Sequence, residues 1–178
     1  MSQKSLLDST AIQTIVEDLS QKVLNDIADV DKFAVVGIQA SGIILADRII
    51  KNIENSIGKS LKHGKLDITF YRDDLATRGM LPIIRETLIN FNINNLNVLL
   101  VDDVMFTGRT VKAAIETLMS FGRPASIKFL CLVDRGNREL PIHPDYYGIA
   151  VKTDIKDMVN VYLHEKDVSK DEIVLVVE

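Results

Sequence analysis

The stretch Val98–Thr110, VLLVDDVMFTGRT, restricts this chain more than any other part of it. Val98 to Val101 is an unbroken apolar, β-branched-rich run, the pattern of a parallel strand covered on both faces, and Asn97 before it is a turn residue. Asp102 and Asp103 follow, and the strand is expected to end there. Thr107, Gly108, Arg109 and Thr110 then lead into VKAAIETLMSFG, whose apolar residues recur at helical spacing. The order is strand, acidic pair, glycine turn, helix.

That order suits one kind of ligand. Gly108 lets the backbone turn and lets a ligand approach, and the amides that open the following helix favour an anion such as phosphate. Thr107 and Thr110 add hydroxyl donors, and Arg109 adds positive charge. The adjacent acids would repel a bare phosphate, so they make better sense holding sugar hydroxyls and a divalent cation on the same molecule. The implied ligand is a phosphorylated ribose with Mg²⁺. Against it stands the plainer reading that Asp102 and Asp103 end a strand and Thr107 caps a helix.

The rest of the chain repeats the strand–helix theme. Asp8 or Ser9 caps a helix running to about Ala28, with Ile12, Ile15, Val16, Leu19 and Val23 on its apolar face, expected to dock on the sheet. Phe33–Gln39 is a buried strand. The turn Gln39-Ala40-Ser41-Gly42 opens a second helix, and it reads equally well as a simple connection or as an anion-binding helix start. Lys65–Tyr71 alternates as a strand, and residues 72–95 form a long stretch with the character of a functional loop. Gly122 and Pro124 stop the third helix, SIKFLCLV enters another buried strand, and short strands follow near Val159–Leu163 and Ile173–Val176. Alternating strands and helices predict an α/β fold with a mainly parallel sheet. Ligands then bind beyond the strands' carboxyl ends, where Gln39–Gly42, Arg72–Asp74, Asp102–Thr110 and Asp134–Gly136 converge.

With 178 residues, 47% hydrophobic and 26% charged, the chain can bury one good core and is expected to form one domain. No apolar run is long enough to span a membrane and Met1–Ser9 lacks a signal-peptide core, so a cytoplasmic location is expected. Cys131 reads as a small buried hydrophobe. His63, His143 and His164 lack zinc-type spacing. A net charge of −4 argues against non-specific coating of nucleic acid.

Taken whole, Val98–Thr110 resembles the phosphoribosyl-diphosphate (PRPP) signature of type I phosphoribosyltransferases. FYRDDL at Phe70–Leu75 and LVDRGNRELP at Leu132–Pro141 are similar to the pyrimidine operon regulators called PyrR, which are also uracil phosphoribosyltransferases. The likeness covers nearly the whole chain. It implies a type I phosphoribosyltransferase fold: a mainly parallel sheet flanked by helices, with a small hood formed by about residues 134–178 and the N-terminal helix. It also implies a mobile loop at about 72–95 and a homodimer or homotetramer. The implied reaction is Mg²⁺-dependent transfer from PRPP to uracil, giving UMP and diphosphate. Asp102 and Asp103 would hold the ribose diol and the metal, and Thr107, Gly108, Arg109 and Thr110 would cradle the 5′-phosphate. Gln39, Ala40, Ser41, Gly42, Arg72 and Asp73 would complete the PRPP site, with Arg72 closing over the diphosphate. Phe106, Val133, Asp134 and Arg135 would shape the base pocket.

Two departures from that family stand out. Its first loop commonly reads Thr-Arg-Gly, whereas this chain has Ala40-Ser41-Gly42, which removes a cation expected near the diphosphate. The family's basic RNA-binding face is also thinned. From Asp8 to Asp31 there are six acids, Asp8, Glu17, Asp18, Asp26, Asp29 and Asp31, against Lys22 alone. Since neutralised phosphates supply much of nucleic-acid affinity, RNA binding implied by the family is expected to be weakened here. A regulator with little catalysis and a transferase for another base are the competing readings.

Overall fold

The computed structural model describes residues 2–68, 86–166 and 169–177. In chain order the elements are β1 (Ser2–Asp8), α1 (Ser9–Asp26), β2 (Phe33–Ile38), α2 (Ser41–Ile57), β3 (Lys62–Leu66), β4 (Asn97–Met105), α3 (Arg109–Met119), β5 (Ser126–Asp134), β6 (Tyr146–Ala150), β7 (Met158–Tyr162) and β8 (Glu172–Val177).

Five strands form a sheet in the order β3-β2-β4-β5-β6, with all neighbours parallel. The apolar runs explain why: both faces are covered, so successive side chains of one strand enter different cores. Val35, Leu99, Val101, Leu130 and Leu132 pack under α1 and α2 with Leu19, Leu45 and Ile49. Ala34, Val36, Val98, Leu100, Phe129 and Cys131 face the opposite way, against Val111, Ala114 and Leu118 of α3. Cys131 is fully buried there, and burial pushes its thiol pKa up, with the charges of Asp134 and Asp102 adding to the shift. Its reading as a structural hydrophobe fits.

α1 begins where its cap residue dictates. The Asp8 side chain accepts a hydrogen bond from the Ala11 amide at 2.9 Å, and the buried face is Ile12, Val16, Leu19, Ser20 and Val23. A smaller antiparallel sheet, β1-β8-β7, stands beside the main body. Ile173 of β8 is buried in the core shared with α2, and an ion-pair cluster adds to that tie. Arg48 donates to Asp171 at 2.6 and 3.0 Å and to Glu165 at 2.7 and 2.9 Å, so one guanidinium grips both ends of the turn that joins β7 to β8.

Several expectations need correction. β4 runs on through Asp102 and Asp103 to Met105, because β5 continues to pair with it as far as Met105↔Asp134. β3 occupies Lys62–Leu66 and not Lys65–Tyr71; Phe70 and Tyr71 lie outside the described residues. Ser2–Asp8, which carries no strand signal, pairs with β8, so a strand and not the N-terminal helix joins the small sheet. Tyr146–Ala150, within the stretch expected to form the hood, pairs with β5 in the large sheet. Of the loop expected over 72–95, residues 72–85 lie outside the described residues. The remainder is anchored: Leu88 and Lys65 exchange backbone hydrogen bonds of 2.8 and 2.9 Å, and Ile93 is fully buried.

Candidate active site at the carboxyl ends of β2, β4 and β5

The sheet order creates the cleft. Chain leaving β2 crosses through α2 to β3 on one side, and chain leaving β4 crosses through α3 to β5 on the other. The connections diverge between β2 and β4, the place where open α/β sheets bind ligands. Pairing of β2 with β4 stops at Gly37↔Val101. Beyond it the Gln39–Gly42 turn lies on one side and Asp102 and Asp103 on the other.

Gly42 is what lets them approach. A Cβ at Gly42 would fall 2.4 Å from the Val101 carbonyl oxygen and 2.9 Å from the Asp102 Cα. The turn is held from its other end by the Gln39 amide, which donates to the Leu66 carbonyl at 2.9 Å. The Gln39–Ala40 peptide bond is cis. This packing sets the Gln39–Gly42 turn directly beside Asp102.

The acids are oriented by their own backbone. Asp102 Oδ1 accepts from the Asp103 amide at 2.9 Å, and Asp103 Oδ1 accepts from the Val104 amide at 2.8 Å. Asp102 is buried and Asp103 half-buried. Near the carboxyl end of β4, the two carboxylates offer oxygen donors of the kind that a hard divalent cation or ribose hydroxyls take.

Next comes the glycine turn. Gly108 has φ of 96°, a left-handed conformation that favours glycine, and a Cβ there would meet Leu140 Cβ at 3.3 Å. The turn is braced from behind, since the Thr107 carbonyl accepts from the amides of Glu139 and Leu140 at 3.0 and 3.1 Å. Thr107 Oγ1 faces the Arg109 amide at 3.4 Å, and Thr110 is half-buried in the first turn of α3. Arg109 was expected to bring positive charge, but its Nε pairs with Glu139 Oε2 at 2.6 Å, so that charge is partly offset.

Just before that turn, Phe106 is half-buried and the Arg135 guanidinium carbon stacks 4.0 Å from its ring centroid. The donors of Arg135 go to Thr153 Oγ1 at 3.2 Å and to the Asp157 and Asp154 carbonyls at 2.6 and 3.3 Å. Arg135 therefore supports Phe106 and ties down the loop before β7. Val133 is fully buried in the core under α1 and α2, paired in the sheet with Val104 on β4 and Ile149 on β6. Asp134 Oδ1 accepts from the Gly136 amide at 2.9 Å and from Arg138 Nη2 at 2.7 Å.

Arg138 and Lys166 escaped the sequence reading. Arg138 gathers the loops, donating also to the carbonyls of Phe106, Gly136 and Ile142 at 2.7, 2.9 and 2.9 Å. Lys166 Nζ donates to Ser41 Oγ at 2.5 Å. The reach of Arg138 to Phe106, 32 residues away, and of Lys166 to Ser41, 125 residues away, does not follow from residue spacing. Arg72 and Asp73 lie outside the described residues. His164, Glu165 and Asp171 bring metal-type donors within 4.8 Å of one another, but Arg48 already bridges the two acids. Among the described residues no helix is long and apolar enough to cross a membrane.

Comparison with known proteins agrees with this geometry. Residues 2–167 match the family model of the phosphoribosyl transferase domain. "Bifunctional protein PyrR" of Caldicellulosiruptor saccharolyticus is 48% identical over 92% of this chain and 90% of its own. The protein of the same name from Roseiflexus is 41% identical over 99% and 96%. Among solved structures, a hypoxanthine-guanine phosphoribosyltransferase from Bacillus anthracis superposes with a TM-score of 0.72 at 18% identity, covering 99% of this chain and 100% of the other, a likeness of fold alone. The acidic strand end, the glycine turn and the parallel sheet are thus those of a type I phosphoribosyltransferase, and the chain belongs to the PyrR family of that fold.

Proposed function

We propose that this phosphoribosyltransferase transfers the phosphoribosyl group of PRPP to uracil, releasing UMP and diphosphate, with Mg²⁺ bound alongside PRPP. The observation that carries the reading is the placement of Asp102 and Asp103 beside the Gly108 turn at the β2–β4 divergence. Uracil is the base implied by the likeness of LVDRGNRELP to the PyrR proteins.

In the reaction the bond from the ribose anomeric carbon to the diphosphate breaks as the bond to the base nitrogen forms. Positive charge develops on the ribose, so preset electrostatics matter more than a strong acid or base. Asp102 and Asp103 would orient the ribose hydroxyls and offset that charge. The Thr107–Thr110 turn would fix the 5′-phosphate, which turns a collision between two molecules into a reaction between positioned groups. Mg²⁺, for which Asp102 and Asp103 supply fitting donors, would neutralise charge on the diphosphate. Phe106, stacked on Arg135, would offer the base an apolar face.

Incubation with PRPP, Mg²⁺ and a panel of bases tests this. Uracil is expected to exceed hypoxanthine and guanine in kcat/KM by about tenfold or more, because a pocket that hydrogen-bonds one base leaves groups unpaired with another. A preference for a purine would overturn the choice of base. No turnover with any base, despite intact PRPP binding, would favour a regulator with little catalysis. The relatives' name, bifunctional protein, favours a second activity beside transfer, and the resemblance implies binding to an mRNA leader.

A further inference from the structure

We infer that Lys166 supplies the cation that meets the diphosphate end of the substrate at the first loop. This rests on the PRPP reading proposed above. Ala40-Ser41-Gly42 carries no charge of its own, yet Gly42 packs on Val101 and Asp102, so this loop borders the cleft beside the acidic pair. A multiply charged anion leaving next to two carboxylates needs positive charge on its other flank.

Among the described residues, the three arginines around the cleft are committed to protein partners. Arg138 pairs with Asp134, Arg109 pairs with Glu139, and Arg135 donates to Thr153 and to two backbone carbonyls. Lys166 differs. Its ammonium meets a neutral hydroxyl, Ser41 Oγ at 2.5 Å, and has no carboxylate partner among the described residues. An ammonium has three donors, so two remain for an anion.

Lys166 is also held in place. It ends the short turn His164–Lys166, its amide donates to the Leu163 carbonyl at 2.9 Å, and Leu163 is fully buried. Arg48 on α2 grips Glu165 beside it and Asp171 beyond. The small sheet is thereby fastened to the same helix that Ser41 begins, and the lysine is carried to the loop by a fixed frame.

Calorimetric titration of diphosphate and of PRPP, each with Mg²⁺, into wild type, Lys166→Met, Lys166→Arg and Ser41→Ala tests the assignment. Lys166→Met is expected to weaken diphosphate binding about tenfold or more, the scale of one charge-assisted hydrogen bond, while Lys166→Arg stays close to wild type. UMP, which lacks the diphosphate, should bind Lys166→Met within about twofold of wild type on the same scale. Ser41→Ala breaks the same hydrogen bond but keeps the charge, so it should lose less than Lys166→Met. Equal losses in those two variants would make the lysine a brace for the loop and overturn the proposal. So would unchanged diphosphate binding by Lys166→Met. Wild-type protein that binds neither PRPP nor diphosphate would instead overturn the PRPP reading itself. Because Lys166 is exposed, the variants are expected to fold, which unfolding temperatures check.

Discussion

Arg138 donates from Nη1 to the carbonyl of Phe106 at 2.7 Å, which joins the loop after β5 to the turn after β4. The same guanidinium meets Asp134 at 2.7 Å, with both side chains largely buried. Replacing Arg138 by Met would leave the Asp134 carboxylate without its cation and the Phe106 carbonyl without this donor. The expected cost is about 2–4 kcal/mol of stability. The KM for PRPP should rise as well, because the segment leading into the Gly108 turn loses its tie to Arg138. Arg138→Lys should recover only part of this, since one ammonium cannot reproduce a planar fork. Urea unfolding and steady-state kinetics on the two variants check it.

Asp102 and Asp103 should separate catalysis from folding. Each carboxylate accepts an amide hydrogen bond through Oδ1. An Asn side-chain oxygen can accept the same bond, so the double Asn variant should unfold near the wild-type temperature. Its kcat/KM should fall by at least about a hundredfold, since the negative charge proposed to face the ribose is gone. Full activity in that variant would remove both residues from the site.

Gly42 sets how closely the first loop approaches β4. An Ala Cβ would sit 2.4 Å from the Val101 carbonyl oxygen, and neither backbone can yield without shifting Asp102. Gly42→Ala should therefore cost about 1–3 kcal/mol and raise the KM for PRPP more than that for the base. Equal effects on the two KM values would show the strain spreading beyond the loop.

Acid should loosen the small sheet first. Burial alone would raise the pKa of Asp171, but hydrogen bonds from Arg48 and His164 prevail and hold it at about 2. Glu165 is likewise lowered, burial opposing and Arg48 prevailing. A carboxylate depressed below its unfolded value contributes stability that is present above about pH 4 and is lost as pH falls toward about 2. For Asp171 that contribution is about 2 kcal/mol. Stability measured from pH 6 down to about pH 3 should fall less steeply in Asp171→Asn, which starts lower. Parallel curves would mean that other carboxylates govern acid unfolding.

What the sequence made legible was local. The β4–α3 unit, the Asp8 cap and the apolar runs of β2 and β5 each carry their signal within a few residues. β1 was invisible because SQKSLLD has little apolar alternation and becomes a strand only through β8, far along the chain. β6 is an edge strand whose pattern Gly148 interrupts; a Cβ there would strike Ile15 and the Leu132 carbonyl, so tertiary packing sets that residue. β3, KHGKL, is polar because it too is an edge. In the site, the acidic pair and the glycine turn were readable as a motif. The organising role of Arg138 and the reach of Lys166 to Ser41 depend on partners that only the fold brings together.

Leader RNA should bind weakly and with a shallow salt dependence. The count of six acids on and around α1 overstates their repulsion, because most have structural partners. Asp8 caps α1, Asp29 accepts from the Asp31 amide, Asp31 pairs with Lys59 at 2.6 Å, and Asp26 meets Lys128 and Tyr146 at 2.9 and 2.6 Å. Those contacts also occupy Lys59 and Lys128, two of the cations an RNA face would use. Glu17 and Asp18 remain exposed with Lys22, a surface that offers phosphate little. Each neutralised phosphate contributes about 0.7–0.9 to the slope of log K against log salt, so a slope no steeper than about −2 is expected. Titrating a pyrimidine-leader hairpin across a salt series, with and without UMP, measures it. Tight binding that UMP strengthens and salt steeply weakens would place the RNA surface away from α1.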